Sequence, residues 1–147
     1  MPEPLTIVTG VLSIVGNVWK ISKDVYELID GIKNAPAHIK AVSQDVRGLY
    51  VVLGALQQLL VKIEEKELPP AAMPVFELLD EPMNNCLTAF VELQKKINKY
   101  TKRTGAINES YWKRSWWFFT EKDTNVYRVH LAAYKSTVTI ALGAANL

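Results

Sequence analysis

The twenty-five residues Ile39-Lys-Ala-Val-Ser-Gln-Asp-Val-Arg-Gly-Leu-Tyr-Val-Val-Leu-Gly-Ala-Leu-Gln-Gln-Leu-Leu-Val-Lys-Ile63 place apolar side chains at Ile39, Val42, Val46, Leu49, Leu53, Leu56, Leu60 and Ile63. The spacing alternates between three and four, which keeps one stripe of an α-helix facing a partner. Three further stretches repeat it. The first runs through Ile7, Val11, Ile14, Val18, Ile21, Val25, Leu28 and Ile32. The third runs through Phe76, Leu79, Met83, Cys86, Phe90, Leu93, Ile97 and Tyr100, and the fourth through Tyr127, Leu131, Tyr134, Val138 and Ala141. Seams of this kind pack near +20° in helix bundles. No stretch sustains strand alternation. The pattern predicts an all-α fold, a helical bundle of four long helices plus a short connector helix.

The breaks agree. Asp30-Gly31 and Asn34-Ala35-Pro36 end the first helix and start the second, with Pro36 expected in the first turn and Asn34 or Ala35 near the cap. Leu68-Pro69-Pro70 separates the second and third, and Pro74 suits the start of the third. Pro82 lies inside the third stripe and predicts a kink or a split helix. Thr104-Gly105 ends the third, residues 105–120 form a connector, and Thr120-Glu-Lys-Asp123 resembles a capping box.

The chain has 147 residues, one Cys, a net charge of +2 and 49% hydrophobic residues. That length suits a single domain over 1–147. One Cys excludes an intramolecular disulfide framework and a multi-Cys metal site. The composition excludes a wholly disordered chain and predicts a reduced, intracellular protein. No P-loop, GxGxxG, GxSxG or HExxH occurs, and His38 and His130 stand alone. Cys86 falls where a small apolar seam residue is expected. These features predict no enzyme, no catalytic residue, no metal and no cofactor.

Two features are not evenly spread. Residues 5–19 hold no charge: Leu5, Ile7, Val8, Val11, Leu12, Ile14, Val15, Val18 and Trp19 are interleaved with Thr, Ser, Gly and Asn. Val8, Leu12, Val15 and Trp19 make a second stripe beside the seam. Fifteen residues rise only about 22 Å at ~1.5 Å each, short of the roughly 20 residues that span a bilayer. Nor does the run have the basic flank of a signal peptide. Two readings stay open: a central helix buried on most sides, or a helix stored against the bundle and released into a bilayer. Gly10, Ser13 and Gly16 would allow close helix contact in the second case.

The second feature is charge. Lys95, Lys96, Lys99, Lys102, Arg103, Lys113 and Arg114 face only Glu109 within residues 93–118. Seven bases against one acid give +6, so a total of +2 leaves −4 elsewhere. Such a cluster attracts anionic lipid, and it equally suits a solvated helix end that complements the macrodipole. Trp112, Trp116, Trp117, Phe118 and Phe119 lie beside it, fitting either a membrane interface or a plug at the end of the bundle. Nothing resembles a nucleic-acid module, so no nucleic-acid partner is expected.

Taken in order, four segments resemble the HeLo-like N-terminal domains of fungal NLR-type (STAND) proteins. Met1-Pro-Glu-Pro-Leu-Thr-Ile-Val-Thr-Gly-Val-Leu-Ser-Ile-Val-Gly16 is similar to the family's opening, with Glu3 where Asp is common. Tyr26 to Val42, with its Lys-Asn-Ala-Pro turn, Val46 to Leu59, and Trp112 to Asp123 follow in the family's order. The resemblance implies an α-helical cell-death execution or signalling domain of fungal innate immunity and heterokaryon incompatibility. It implies self-association into a homo-oligomer on activation, and fusion or partnership with an NLR or amyloid-signalling module. It carries across Leu5–Trp19 as a membrane-active segment, with relocation from the cytoplasm to the plasma membrane, membrane targeting and pore formation. The alternative is an interaction or regulatory bundle without membrane activity. The closing run Val138–Leu147 has no charge and predicts the N-terminal part of a longer protein.

Overall fold

The computed structural model describes residues 4–31, 36–63, 69–104 and 121–145, with side chains described for 7–31, 36–63, 69–98 and 122–145. The elements are α1 (Pro4–Asp30), α2 (Ala37–Ile63), a 3-10 turn (Pro70–Ala72), α3 (Met73–Glu77), α4 (Asp80–Thr104) and α5 (Glu121–Ala145). No strand occurs among the described residues. Four helices are long, and the short helical piece is the turn and α3. The connector expected at 105–120 lies outside the described residues.

Helix ends follow local chemistry. The Pro36 carbonyl accepts from the N–H of Ile39 and of Lys40, each at 3.0 Å. Pro36 therefore caps α2 from just outside its first turn, one position earlier than the sequence suggests. Gly31 N–H donates to the Glu27 carbonyl at 3.0 Å, and a Cβ there would come within 3.3 Å of that oxygen. The third apolar stripe is broken before Pro82. Leu78 and Leu79 close α3 onto Val75 and Phe76, and Met83 N–H then donates to Leu79 at 3.0 Å. Pro82 is thus the third residue of α4, where the N–H has no intrahelical acceptor and a proline costs nothing. Asp80 and Glu81 occupy the same first turn, where acids complement the macrodipole.

The core is one continuous cluster. All eight stripe residues of α2 are buried. So are Phe76, Leu79, Met83, Cys86, Phe90, Leu93 and Ile97 of the third stripe; Tyr100 lies outside the described side chains. In α5, Leu131, Val138 and Ala141 are buried, while Tyr127 and Tyr134 are half-buried. The stripe of α1 is rotated from its expected position. Val8, Val11, Val15, Val18, Ser22, Val25 and Ile29 face inward together with Ile14. Ile7, Ile21 and Leu28 are only half-buried. Both sets alternate by three and four, and Ser22 disguises the true one. Its hydroxyl donates to the Trp19 carbonyl at 2.7 Å, so it can be buried without an unmet hydrogen bond.

The helices run up, down, up and down. One end gathers Ile29 near the end of α1, Ile39 near the start of α2, Ile97 of α4 and Thr124 of α5. α1 packs extensively on α2 and α4, and α5 packs on α2, whereas α4 and α5 make few contacts. Across the α1–α2 seam Trp19 stacks on Tyr50, with ring centroids 5.5 Å apart and planes 13° from parallel. The indole lies over Gly54, where a Cβ would come within 3.1 Å of Nε1. α2 and α5 are tied at the surface by Arg128 Nε donating to Asp45 Oδ2 at 2.6 Å.

Candidate functional site

Three regions offer themselves: the uncharged part of α1, the basic and aromatic residues after Leu93, and a cleft between α4 and α5. Within the uncharged run, Val8, Val11, Ile14, Val15 and Val18 are buried. Ile7, Leu12 and Trp19 are half-buried and pack against the core; the side chain of Leu5 lies outside the described residues. The solvent side carries Thr9, Gly10, Ser13 and Asn17, all exposed and none charged. A bundle helix normally sets charges on that side. Gly10 faces open space, while Gly16 sits against Gln57 Nε2, 3.5 Å from where a Cβ would be. Among the described residues one helix is long and apolar enough to cross a membrane, and it is α2, with a mean hydropathy of 1.4 over its best window. A third of that window is buried in the bundle.

Of the basic cluster, Lys95 and Lys96 are exposed on α4. Lys99, Lys102 and Arg103 continue the same helix, but their side chains lie outside the described residues. Lys113, Arg114 and the aromatic residues Trp112, Trp116, Trp117, Phe118 and Phe119 also lie outside them.

The cleft follows from the loose α4–α5 seam. It has a volume of about 390 Å³ at the end of the bundle. Ile29, Ile39, Val42, Leu93 and Ile97 form its apolar floor, and Glu92, Lys96, Asp123 and His130 stand around it. Tyr127 closes the inner side, its hydroxyl donating to the Ala89 carbonyl of α4 at 2.7 Å. Its size falls within the range of small-molecule sites. Burial pushes the Tyr127 phenol well above its usual range, with the neighbouring Cys86 adding to the shift. Burial likewise pushes the Cys86 thiol up to about 12. A thiol held protonated at neutral pH is a packing group and a poor nucleophile. Among the described residues no group of three His, Cys, Asp or Glu side chains is placed to hold a metal ion.

The cleft was not visible in the sequence, because its residues come from four helices and its existence depends on how far α4 and α5 stand apart. The exposed apolar residues of α5, Val126, Val129 and Ile140, were visible in principle, as apolar positions outside that helix's stripe.

A sequence model of the family described as "Pigment biosynthesis cluster protein PigL N-terminal" matches residues 2–147. No curated protein matches the chain. No solved structure matches it either.

Proposed function

Taking as premise that the chain belongs to the PigL N-terminal family, we propose that it is a non-enzymatic signalling bundle that acts on membranes through α1. Its reading is that of a HeLo-like cell-death execution domain. The bundle stores Leu5–Trp19. Clustering by a fused or partner NLR or amyloid-signalling module raises the local concentration and drives homo-oligomerisation. The helix then leaves the cytoplasmic bundle for the plasma membrane, and basic residues from Lys95 to Arg114 hold anionic lipid nearby.

One observation carries the reading. The solvent side of α1 through Thr9, Gly10, Ser13 and Asn17 has no ion to dehydrate. A charge near the centre of an inserting helix costs about 2.5–3.5 kcal/mol, and α1 avoids that cost on every side from residue 5 to 19. The sequence resemblance of residues 1–16, 26–42, 46–59 and 112–123 to HeLo-like domains supports the same conclusion.

The test uses positions that the folded bundle already exposes. Gly10→Glu/Ser13→Glu keeps the helix content and melting behaviour of the parent, because both side chains point to water. Dye leakage from anionic vesicles falls at least tenfold. Undiminished leakage by this folded variant overturns the reading. A second reading, a protein-interaction or regulatory bundle without membrane activity, is favoured by the cleft beside α5 and by exposed Val126 at its lip. Partner binding in solution without vesicle binding selects it.

A further inference from the structure

We infer that the outer face shared by α2 and α5 is an electrostatic docking plane that lays the bundle on an anionic bilayer surface. The inference rests on the preceding reading only for its partner, the bilayer; it does not require α1 to insert.

The sequence places the conspicuous bases after Leu93, but the fold assembles a different set. Lys40, Arg47 and Lys62 are exposed along α2. At about 100° per residue they fall within roughly 40° of the exposed Val51, on one outward line. From Lys40 to Lys62 that line extends about 33 Å at ~1.5 Å per residue. The acid of α2, Asp45, is turned to the seam and engaged by Arg128 at 2.6 Å. α5 adds exposed Lys122, Arg128 and Lys135, and the Lys135 ammonium lies 3.3 Å from where a Gly48 Cβ would be, on the same seam. Asp123 lines the cleft on the opposite side of α5, toward α4. Among the described side chains, the plane therefore has six bases and one carboxylate, and that carboxylate is already bound.

Apolar groups share the plane. Val51, Val129 and Ile140 are 59%, 67% and 60% exposed. Bases interspersed with exposed aliphatics, with no free acid among the described side chains, are the composition of an interfacial surface. The exposed side of α1 differs: Lys20 and Lys23 stand beside Asp24, Glu27 and Asp30. That mixture is an ordinary solvated face, and it sets α1 apart from α2 and α5.

Each base at an anionic surface strengthens partitioning by about fivefold. In flotation of the full chain with vesicles, we expect binding to phosphatidylcholine containing 30% phosphatidylserine, weakening with salt, and none to phosphatidylcholine alone. Arg47→Ala/Lys62→Ala lowers partitioning by about 20- to 30-fold, and Val129→Ser/Ile140→Ser lowers it further. Lys20→Ala/Lys23→Ala removes the same charge from α1 and changes it by less than about threefold if the plane is specific. Equal losses for the two lysine- and arginine-to-alanine pairs, or no loss for Arg47→Ala/Lys62→Ala, overturn the inference. So does solution self-association that this variant abolishes without any vesicle binding, which would assign the plane to a second copy. Docking without leakage leaves the plane standing and defeats insertion by α1. Leakage that is indifferent to Arg47→Ala/Lys62→Ala defeats the plane alone.

Discussion

Gly54→Ala tests how closely α1 and α2 are fitted. Gly54 lies mid-helix, so alanine gains about 1 kcal/mol of helix propensity. Its Cβ would stand 3.1 Å from Trp19 Nε1 and 3.6 Å from Cδ1, so the indole must retreat by a few tenths of an ångström. Trp19 is held from the other side by Tyr50, at a centroid distance of 5.5 Å. A displaced stack forfeits part of the roughly 0.5–1.5 kcal/mol that such a pair contributes. The reference is Gly10→Ala, with the same propensity gain and nothing within 4 Å of the new Cβ. In urea titrations Gly10→Ala stabilises by about 1 kcal/mol, and Gly54→Ala falls below it by a measurable part of about 1.5 kcal/mol. Repeating Gly54→Ala in a Trp19→Leu background removes the indole and erases the deficit, closing a double-mutant cycle. Equal stabilisation by the two alanines, or a deficit that persists without the indole, refutes the fitted seam.

Two other perturbations have defined outcomes. The Cys86 thiol is raised from 9.0 to about 12 in the fold, so the folded state holds its proton more tightly than the unfolded chain. Its stabilising contribution is complete below about pH 9 and declines between pH 9 and 12; urea midpoints fall over that window, and Cys86→Ala makes the fall shallower. Native Cys86 also resists thiol reagents at pH 8 until denaturant is added; rapid labelling of the folded chain would contradict its burial. Tyr127→Phe removes the hydrogen bond to Ala89, which costs about 0.5–1.5 kcal/mol; a change within error in the chemical-denaturation midpoint would contradict its role in joining α4 to α5.

Most of the fold was legible, because its signal is periodic and local. Every seam position of α2 is buried, as are those of the third stretch through Ile97. Pro82 marked a real break because a proline that would remove a bond mid-helix is harmless in a first turn. α1 was legible as a helix but not in its rotation. Two apolar stripes lie side by side, and only contact with both α2 and α4 decides between them. The inward serine, satisfied by its own backbone, points the wrong way in any hydrophobicity count. The docking plane escaped the sequence for a related reason. Its bases are spread over Lys40 to Lys135, and no linear window gathers what two helices side by side bring together. The uncharged run was legible as composition; that its exposed side is also neutral required the fold.

The sparse contact between α4 and α5 has a consequence for the fluctuations of the molecule. Among the described residues, the broad packing of the four long helices runs from α4 to α1 to α2 to α5, and the α4–α5 contact is thin. Among the described residues, the α4–α5 seam holds the Tyr127–Ala89 bond and thin packing, while α1 and α2 are broadly packed. Sub-global opening should therefore begin on that side, and amide protons along the facing part of α5 should exchange well before those buried between α1 and α2. An activating partner that works from the α4–α5 side would meet the smallest resistance the bundle offers.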